Sequence, residues 1–399
     1  MIVTIILFLN CFYLFGEYHV INRKLLLFSR KDSTPCFGVP IVYDNGSNWS
    51  YSIQTHSDGE QIAEITSYIG NSNTVTIPDS IDGYTTWYNS TNPIFNSTNG
   101  RNVSQCYIGC KIKHRLTTMS NMFYESGHLK TVNKNIVGPR VTNMYRTFMY
   151  CRELVTGPTT IPNSVTNMQS TFYLCRNLVN APTTIPNSVV DMRETFMHCY
   201  NLVNAPTSIG DSVENMYQTF YECRNVTEFP ITIPNSVTNM AMTFQKCINL
   251  VNGPTSIGDS VTNMYMTFYD CPSLKYAPYI GNSVTNMQRA FYGCTNLVNA
   301  PVIPNSVTDI RNTFSNCSNL VTAPVIGNSV VDMRDTFSDC INLTGDIYIY
   351  SNNLSEIKGC FSNTYSPKNI YVYPNTKTYR TISKDYGNGE NGVTIDFIK

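Results

Sequence analysis

"NMYRTFMYCREL", Asn143 to Leu154, returns 24 residues later as "NMQSTFYLCRNL" and after another 24 as "DMRETFMHCYNL". Aligned, the stretch reads M-x-x-x-F-x-x-C-x-x-[LV]. Its first position falls at Met144, Met168, Met192, Met216, Met240, Met264, Met287, Ile310 and Met333. The step is 24 residues five times and 23 residues three times. A degenerate copy precedes the array, with Met119, Phe123 and Leu129 in register and Ser126 where cysteine is expected. Another follows it, with Ile357 and Phe361. Fixed periods of this size indicate a solenoid, because one unit cannot bury its apolar side alone and needs a neighbour stacked on it.

Within a unit, Val165, Met168, Phe172 and Cys175 keep the spacing i, i+3, i+7, i+10, which predicts one helical face turned to the core. Ser164 stands where an N-cap would, and Asn167 where an amide or acid reaches back to it. Ser188 with Asp191 and Ser306 with Asp309 repeat the pair. Between these segments runs "LVNAPTTIP", whose prolines forbid helix and whose short apolar run predicts one short parallel strand per turn.

The string "VTNMYRTFMYCREL", with "IPNSV" opening later copies as at Ile161 to Val165, resembles the BspA-like leucine-rich repeat family of microbial cell surfaces. The likeness extends upstream to "AEITSYIGNSNTVTIPDSIDGY", Ala63 to Tyr84. It implies an α/β solenoid, a leucine-rich-repeat-like right-handed superhelix with β-rich caps at both ends. The departure is the "AP" after the strand leucine, as at Ala181 and Pro182, where the commoner family pattern has a second large aliphatic. The chain then divides into a hydrophobic N-terminal segment (1–30), a β-rich N-terminal cap (31–114), the leucine-rich-repeat solenoid (115–345) and a β-rich C-terminal cap (346–399). In the last of these, "DIYIY", "NIYVYP" and "GVTIDFIK" alternate as strands do, with a short helix near Lys377 to Lys384.

Composition narrows the function classes. Of 399 residues only 14% are charged, and 27 basic side chains balance 27 acidic ones. A chain without basic clusters lacks the electrostatic footprint of a nucleic-acid binder. Nine of the 14 cysteines are the repeat cysteines, Cys151 to Cys340, all on the inward face. Their parallel Cβ vectors disfavour disulfides, so a buried, reduced ladder is expected. Cys106, Cys110 and His114 would align on a helix as three zinc ligands, but no fourth ligand is near, and core packing or a cap disulfide is the expected reading. His198 occupies a slot held elsewhere by Tyr150, Leu174, Glu222, Lys246 and Asp270, which reads as solvated surface. No nucleophile with its base is evident, so neither an enzyme nor a cofactor is expected.

Ile2 to Phe15 is apolar and as long as a signal-peptide core, yet it lacks a basic start and a small-residue cleavage site. It reads as a poorly formed export signal or as a wrongly assigned start. Candidate contact residues come from variation among the copies. With Met as zero, positions +2 and +6 lie farthest from the core on a helix and vary freely. Position +5 also points well away, but holds Met149, Tyr173, Met197, Tyr221, Tyr269 and Tyr292, with Gln245 the exception, before becoming Ser315 and Ser338. An exposed row of this kind suggests contact with a partner, the alternative being that these side chains lean on adjacent turns. Together with the resemblance, this implies a cell-surface or secreted binding or adhesion protein whose partner is a protein or glycan. A component of a phage particle is the alternative.

Overall fold

The computed structural model describes residues 43–44, 46–56, 58–88, 93–95, 102–364, 368–387 and 393–398. All belong to the unit Val39–Lys399. The hydrophobic stretch Ile2 to Phe15 lies outside the described residues.

Each copy of the repeat is one turn of a solenoid, but the expected helix is absent. In its place stand two consecutive four-residue turns, M-x-x-T and F-x-x-C. In the second copy, Thr171 N–H donates to Met168 O at 3.1 Å and Cys175 N–H to Phe172 O at 3.0 Å. The third residue of each turn has positive φ, as a type II turn requires: Ser170 at 53° and Leu174 at 58°. This recurs at +2 and +6 in all nine copies, with only Gly293 supplying a glycine. A left-handed residue every fourth position cannot belong to a right-handed helix. What replaces the helical ladder is the neighbouring turn. Met168, Ser170, Phe172 and Leu174 N–H donate to Asp191, Arg193, Thr195 and Met197 O at 2.8–2.9 Å. Alternate amides therefore bond along the stack while the others close the tight turns, and the backbone is satisfied without a helix.

The capping pairs are corrected with it. Asn167 Oδ1 accepts from Gln169 N–H at 2.8 Å, an Asx turn. Ser188 Oγ donates not within its own turn but to Val165 O of the turn before, at 2.7 Å. The expected strand of "LVNAPTTIP" shrinks to isolated parallel bridges such as Asn180↔Asn204 and Thr184↔Ser208, since proline withholds a ladder donor in each turn.

Val165, Met168, Phe172, Cys175 and Leu178 are each 0% exposed, as are their counterparts in most turns. Twelve phenylalanine rings, from Phe95 through Phe361, form one continuous stack with centroids 5.2–5.9 Å apart. Up to three side-chain donors in a turn then tie it to the turn before, the serine bond being made only where the string reads P-N-S, or at Ser351. Serine donates to the valine carbonyl, as above. Threonine donates to the methionine carbonyl, as Thr195 to Met168 O at 2.9 Å. Cysteine donates to the phenylalanine carbonyl, as Cys199 to Phe172 O at 3.1 Å. In the degenerate end copies the cysteine slot holds Ser126 and Thr364, whose hydroxyls make the same bond to Phe95 O and Phe337 O at 2.8 and 2.9 Å.

Before the array lie strands β1 (Tyr43–Asp44), β2 (Trp49–Thr55), β3 (Gln61–Tyr68), β4 (Thr74–Ile77), β5 (Ser80–Ile81), β6 (Tyr84–Tyr88), β7 (Gln105–Ile108) and β8 (Thr131–Val132), with helix α1 (Cys110–Arg115). They form a five-stranded sheet in the order β1-β5-β6-β3-β2 and a three-stranded one, β4-β7-β8, whose parallel pairings lead into the solenoid.

After the array, β9 (Gly345–Ile349), β10 (Lys368–Val372) and β11 (Val393–Phe397) pair in parallel, and helix α2 (Lys377–Tyr386) lies between the last two. Helix α2 closes the stack by imitating the missing next turn. Thr381 Oγ1 donates to Leu354 O at 3.0 Å, in the place of the repeat serine. Tyr386 Oη reaches Ile357 O at 3.5 Å, in the place of the repeat threonine, and its ring meets Phe361 edge-on at 5.3 Å.

Candidate functional site

Since +5 follows directly on Phe +4 and precedes the left-handed residue at +6, its side chain leaves the core but lies along the stack. Met149 is buried, and Tyr173, Met197, Tyr221, Tyr269 and Tyr292 are half-buried. The structure therefore places the six in one row along the first seven copies, interrupted at Gln245, without leaving any of them fully exposed. The rings at +5 and +6 interleave. Tyr150 meets Tyr173 at 5.6 Å, Tyr173 meets His198 at 5.8 Å and His198 meets Tyr221 at 5.2 Å, all edge-to-face. Tyr269 and Tyr292 instead lie face to face at 4.7 Å. Such pairings add to the burial of each ring. Burial raises the phenols of Tyr173, Tyr221 and Tyr269 above their ordinary values.

Charge gathers at the centre of this row. Glu222 is 7% exposed, with Arg224 Nη2 at 2.7 Å and Lys246 Nζ at 3.6 Å. Burial pushes its carboxyl up, but Arg224, His198 and Lys246 outweigh that and hold it below the usual carboxylate range. Arg224 also lies over the Tyr200 ring at 4.6 Å, with Arg176 at 5.6 Å from the same ring, two cation–π contacts. His198 is not the solvated side chain its slot suggests. It is half-buried, burial lowers its pKa, and its Nδ1 stands 3.6 Å from Glu222 without a hydrogen bond. Gln245, the exception at +5, likewise has a buried Oε1 without a partner.

The zinc arrangement considered for Cys106, Cys110 and His114 does not form. Cys106 lies buried on β7, not on a helix with the other two, and its thiol contacts Tyr107 O. Cys110, at the start of α1, is disulfide-bonded, and His114 Nδ1 lies 2.8 Å from Cys110 O. No group of three metal-ligating side chains occurs among the described residues. The nine ladder cysteines are free and buried, and desolvation pushes their thiols up, to about 12 at Cys247 and Cys340.

Sequence reasoning missed the threonine at +3, Thr147 to Thr336 with Ala290 the exception, buried in every turn where it occurs. The signal was available. A β-branched residue with a hydroxyl, fixed on the inward face, is a poor choice for a helix and a good one for a carbonyl partner.

A family model of the BspA-type leucine-rich repeat region matches six copies over residues 142–275, 216–344 and 264–384, together more than half of the chain. Comparison with curated proteins gives no match. Among solved structures, a leucine-rich repeat protein from Bacteroides ovatus is similar at 21% identity, covering 88% of this chain and 99% of that one, with a TM-score of 0.47. A leucine-rich cell surface protein from Faecalibacterium prausnitzii is similar at 22% identity over 87% and 98%, with a TM-score of 0.39. The periodic core, the stacked phenylalanines and the match over most of the repeat array lead to one conclusion: the chain belongs to the BspA-type leucine-rich repeat family.

Proposed function

We propose that this is a non-enzymatic binding or adhesion protein of the cell surface, which presents its repeat surface to a protein or glycan partner through the row Met149, Tyr173, Met197, Tyr221, Tyr269 and Tyr292. The observation that carries the reading is the row of half-buried tyrosines beside the cluster of Glu222, Arg224 and Lys246. The part of each ring left open is amphipathic, and a docked surface would cover it. Tyrosine adds a large amphipathic contact area at low conformational cost.

The test is to replace Tyr173, Tyr221 and Tyr269 by serine and to measure binding to whole cells and to an isolated receptor. Binding should weaken while the circular dichroism spectrum stays that of the parent. Unaltered binding would move the site elsewhere. Collapse of the fold would assign the row to the core.

A further inference from the structure

Where the repeat step shortens from 24 to 23 residues, one surface row changes character. Thr184 bridges Ser208 and Thr232 bridges Ser256, whose next partner is Tyr279. Val302 and Val325 follow in the same position, and Tyr348 lies beside Val325. From Tyr279 onward the row is apolar and open, with Tyr279 57%, Val302 80% and Val325 53% exposed. The residue lost lies here, where "PTSI" (Pro254 to Ile257) becomes "PYI" (Pro278 to Ile280). Alongside runs an open groove of about 710 Å³, lined among others by Val302, Val325, Tyr350 and Tyr373 and by Asn305, Asn328 and Asn352.

The asparagines are as distinctive as the rings. In two earlier turns the equivalent side chain is occupied, with Asn187 Oδ1 accepting from Asp211 N–H and Asn235 Oδ1 from Asp259 N–H at 3.2 and 2.9 Å. Those of Asn305, Asn328 and Asn352 are exposed and make no hydrogen bond among the described residues. Each leaves a carbonyl acceptor and two N–H donors facing outward. Gly327 keeps this lining open, because a Cβ there would stand 2.7 Å from Asn305 Oδ1. Tyr350 and Tyr373 lie 6.1 Å apart with their planes inclined by 56°, so neither ring covers the other's face. No acidic or basic side chain lines the groove.

We infer that this groove is a binding site for a neutral oligosaccharide. The absence of charge excludes recognition of an ionic ligand by ion pairing. A row of outward amides one turn apart, about 4.8 Å, matches successive hydroxyl-bearing rings of a linear glycan. The tyrosine faces and the valine row meet the C–H faces of the same rings. The groove is separate from the Met149 to Tyr292 row, and it stands whether or not that row contacts a partner.

The test is isothermal titration of the full chain with neutral hexasaccharides (cello-, xylo-, manno- and maltohexaose), with a hexagalacturonate as the charged control. At least one neutral hexasaccharide should bind and the charged one should not. Tyr350→Ala and Val302→Asp should each weaken binding tenfold or more, and Asn328→Ala several-fold. Val302 is so exposed that its replacement leaves folding intact, which thermal melting would verify. Serine at Tyr173, Tyr221 and Tyr269 should leave saccharide binding unchanged, so failure here is distinguishable from failure of the tyrosine row. Absence of binding to every neutral hexasaccharide, equal binding of the charged one, or self-association abolished by Val302→Asp without saccharide binding would each overturn the proposal.

Discussion

Cysteine 223 tests the logic of the seam. Its side chain is 0% exposed, and Sγ donates to Phe196 O at 3.1 Å. Removing the sulfur in Cys223→Ala forfeits about 0.8 kcal/mol of transfer free energy, counting it as one methylene. A void of roughly 25 Å³ at about 24 cal/mol per Å³ adds about 0.6 kcal/mol, and the lost weak hydrogen bond about 0.5 kcal/mol. The alanine variant should therefore be about 2 kcal/mol less stable. Cys223→Ser keeps the donor and most of the volume, as Ser126 does naturally, and should cost less than about 1 kcal/mol. If the slot were merely apolar, the ranking would reverse, because a buried hydroxyl without a partner costs about 1–3 kcal/mol. Urea unfolding followed by circular dichroism gives the ranking directly. A serine variant less stable than the alanine variant would refute the carbonyl-donor role of the ladder.

In native protein the nine ladder thiols should resist alkylation at pH 8 and become reactive together on unfolding, since neighbouring turns stabilise one another; rapid labelling of folded protein would contradict the buried ladder. Because burial raises these thiols, the folded state holds protons that the unfolded state releases above about pH 8.5. Stability should then fall as pH rises, by about 1.4 kcal/mol per pH unit for each thiol exposed, and a variant with several ladder cysteines replaced by serine should lose it less steeply. Glu222 carries the opposite sign. Its lowered pKa stabilises the fold above about pH 4.3, so the wild type should lose melting temperature on acidification relative to Glu222→Gln. Gly293→Ala, at φ 72° and with Asp270 Oδ1 2.6 Å from the new Cβ, should cost about 1–2 kcal/mol, whereas Lys246→Gly at φ 59° should be neutral or mildly stabilising in the same thermal assay.

The period, the core positions and the burial of the cysteines could be read from the sequence because each is a spacing of apolar residues, and stacking demands the same spacing in every turn. The local backbone could not. A helix and a pair of four-residue turns both direct Met168, Phe172 and Cys175 inward. What separates them is the sign of φ at Ser170 and Leu174, residues whose side chains give no hint of a left-handed backbone. Leu174 takes that conformation only because Met197 O of the next turn and the closed turn around it over-determine the chain. The same substitution of turns for helix relocated the candidate row. A helix would aim Tyr173 at solvent, whereas the turn lays its ring against Tyr150 and His198. The C-terminal groove escaped the sequence reading because Asn328 stands in the same "NSV" string as its copies upstream. Its hydrogen bonds, not its sequence, set it apart from Asn187 and Asn235.

The way α2 closes the stack bears on how the chain comes to an end during synthesis. Each turn of the array takes its cysteine-slot donor, and most take a threonine or serine donor as well, from the successor, so a polypeptide interrupted in the array terminates in an unfinished surface of open carbonyls and a bare phenylalanine ring. That surface is a template whose natural complement is any other turn of the same repeat, including one on a different chain. Thr381 and Tyr386 act as a chain terminator in the polymer chemist's sense, converting a propagating end into a dead one. A chain cut before Lys377 would bare the carbonyls of Leu354 and Ile357 and the ring of Phe361, which α2 covers here.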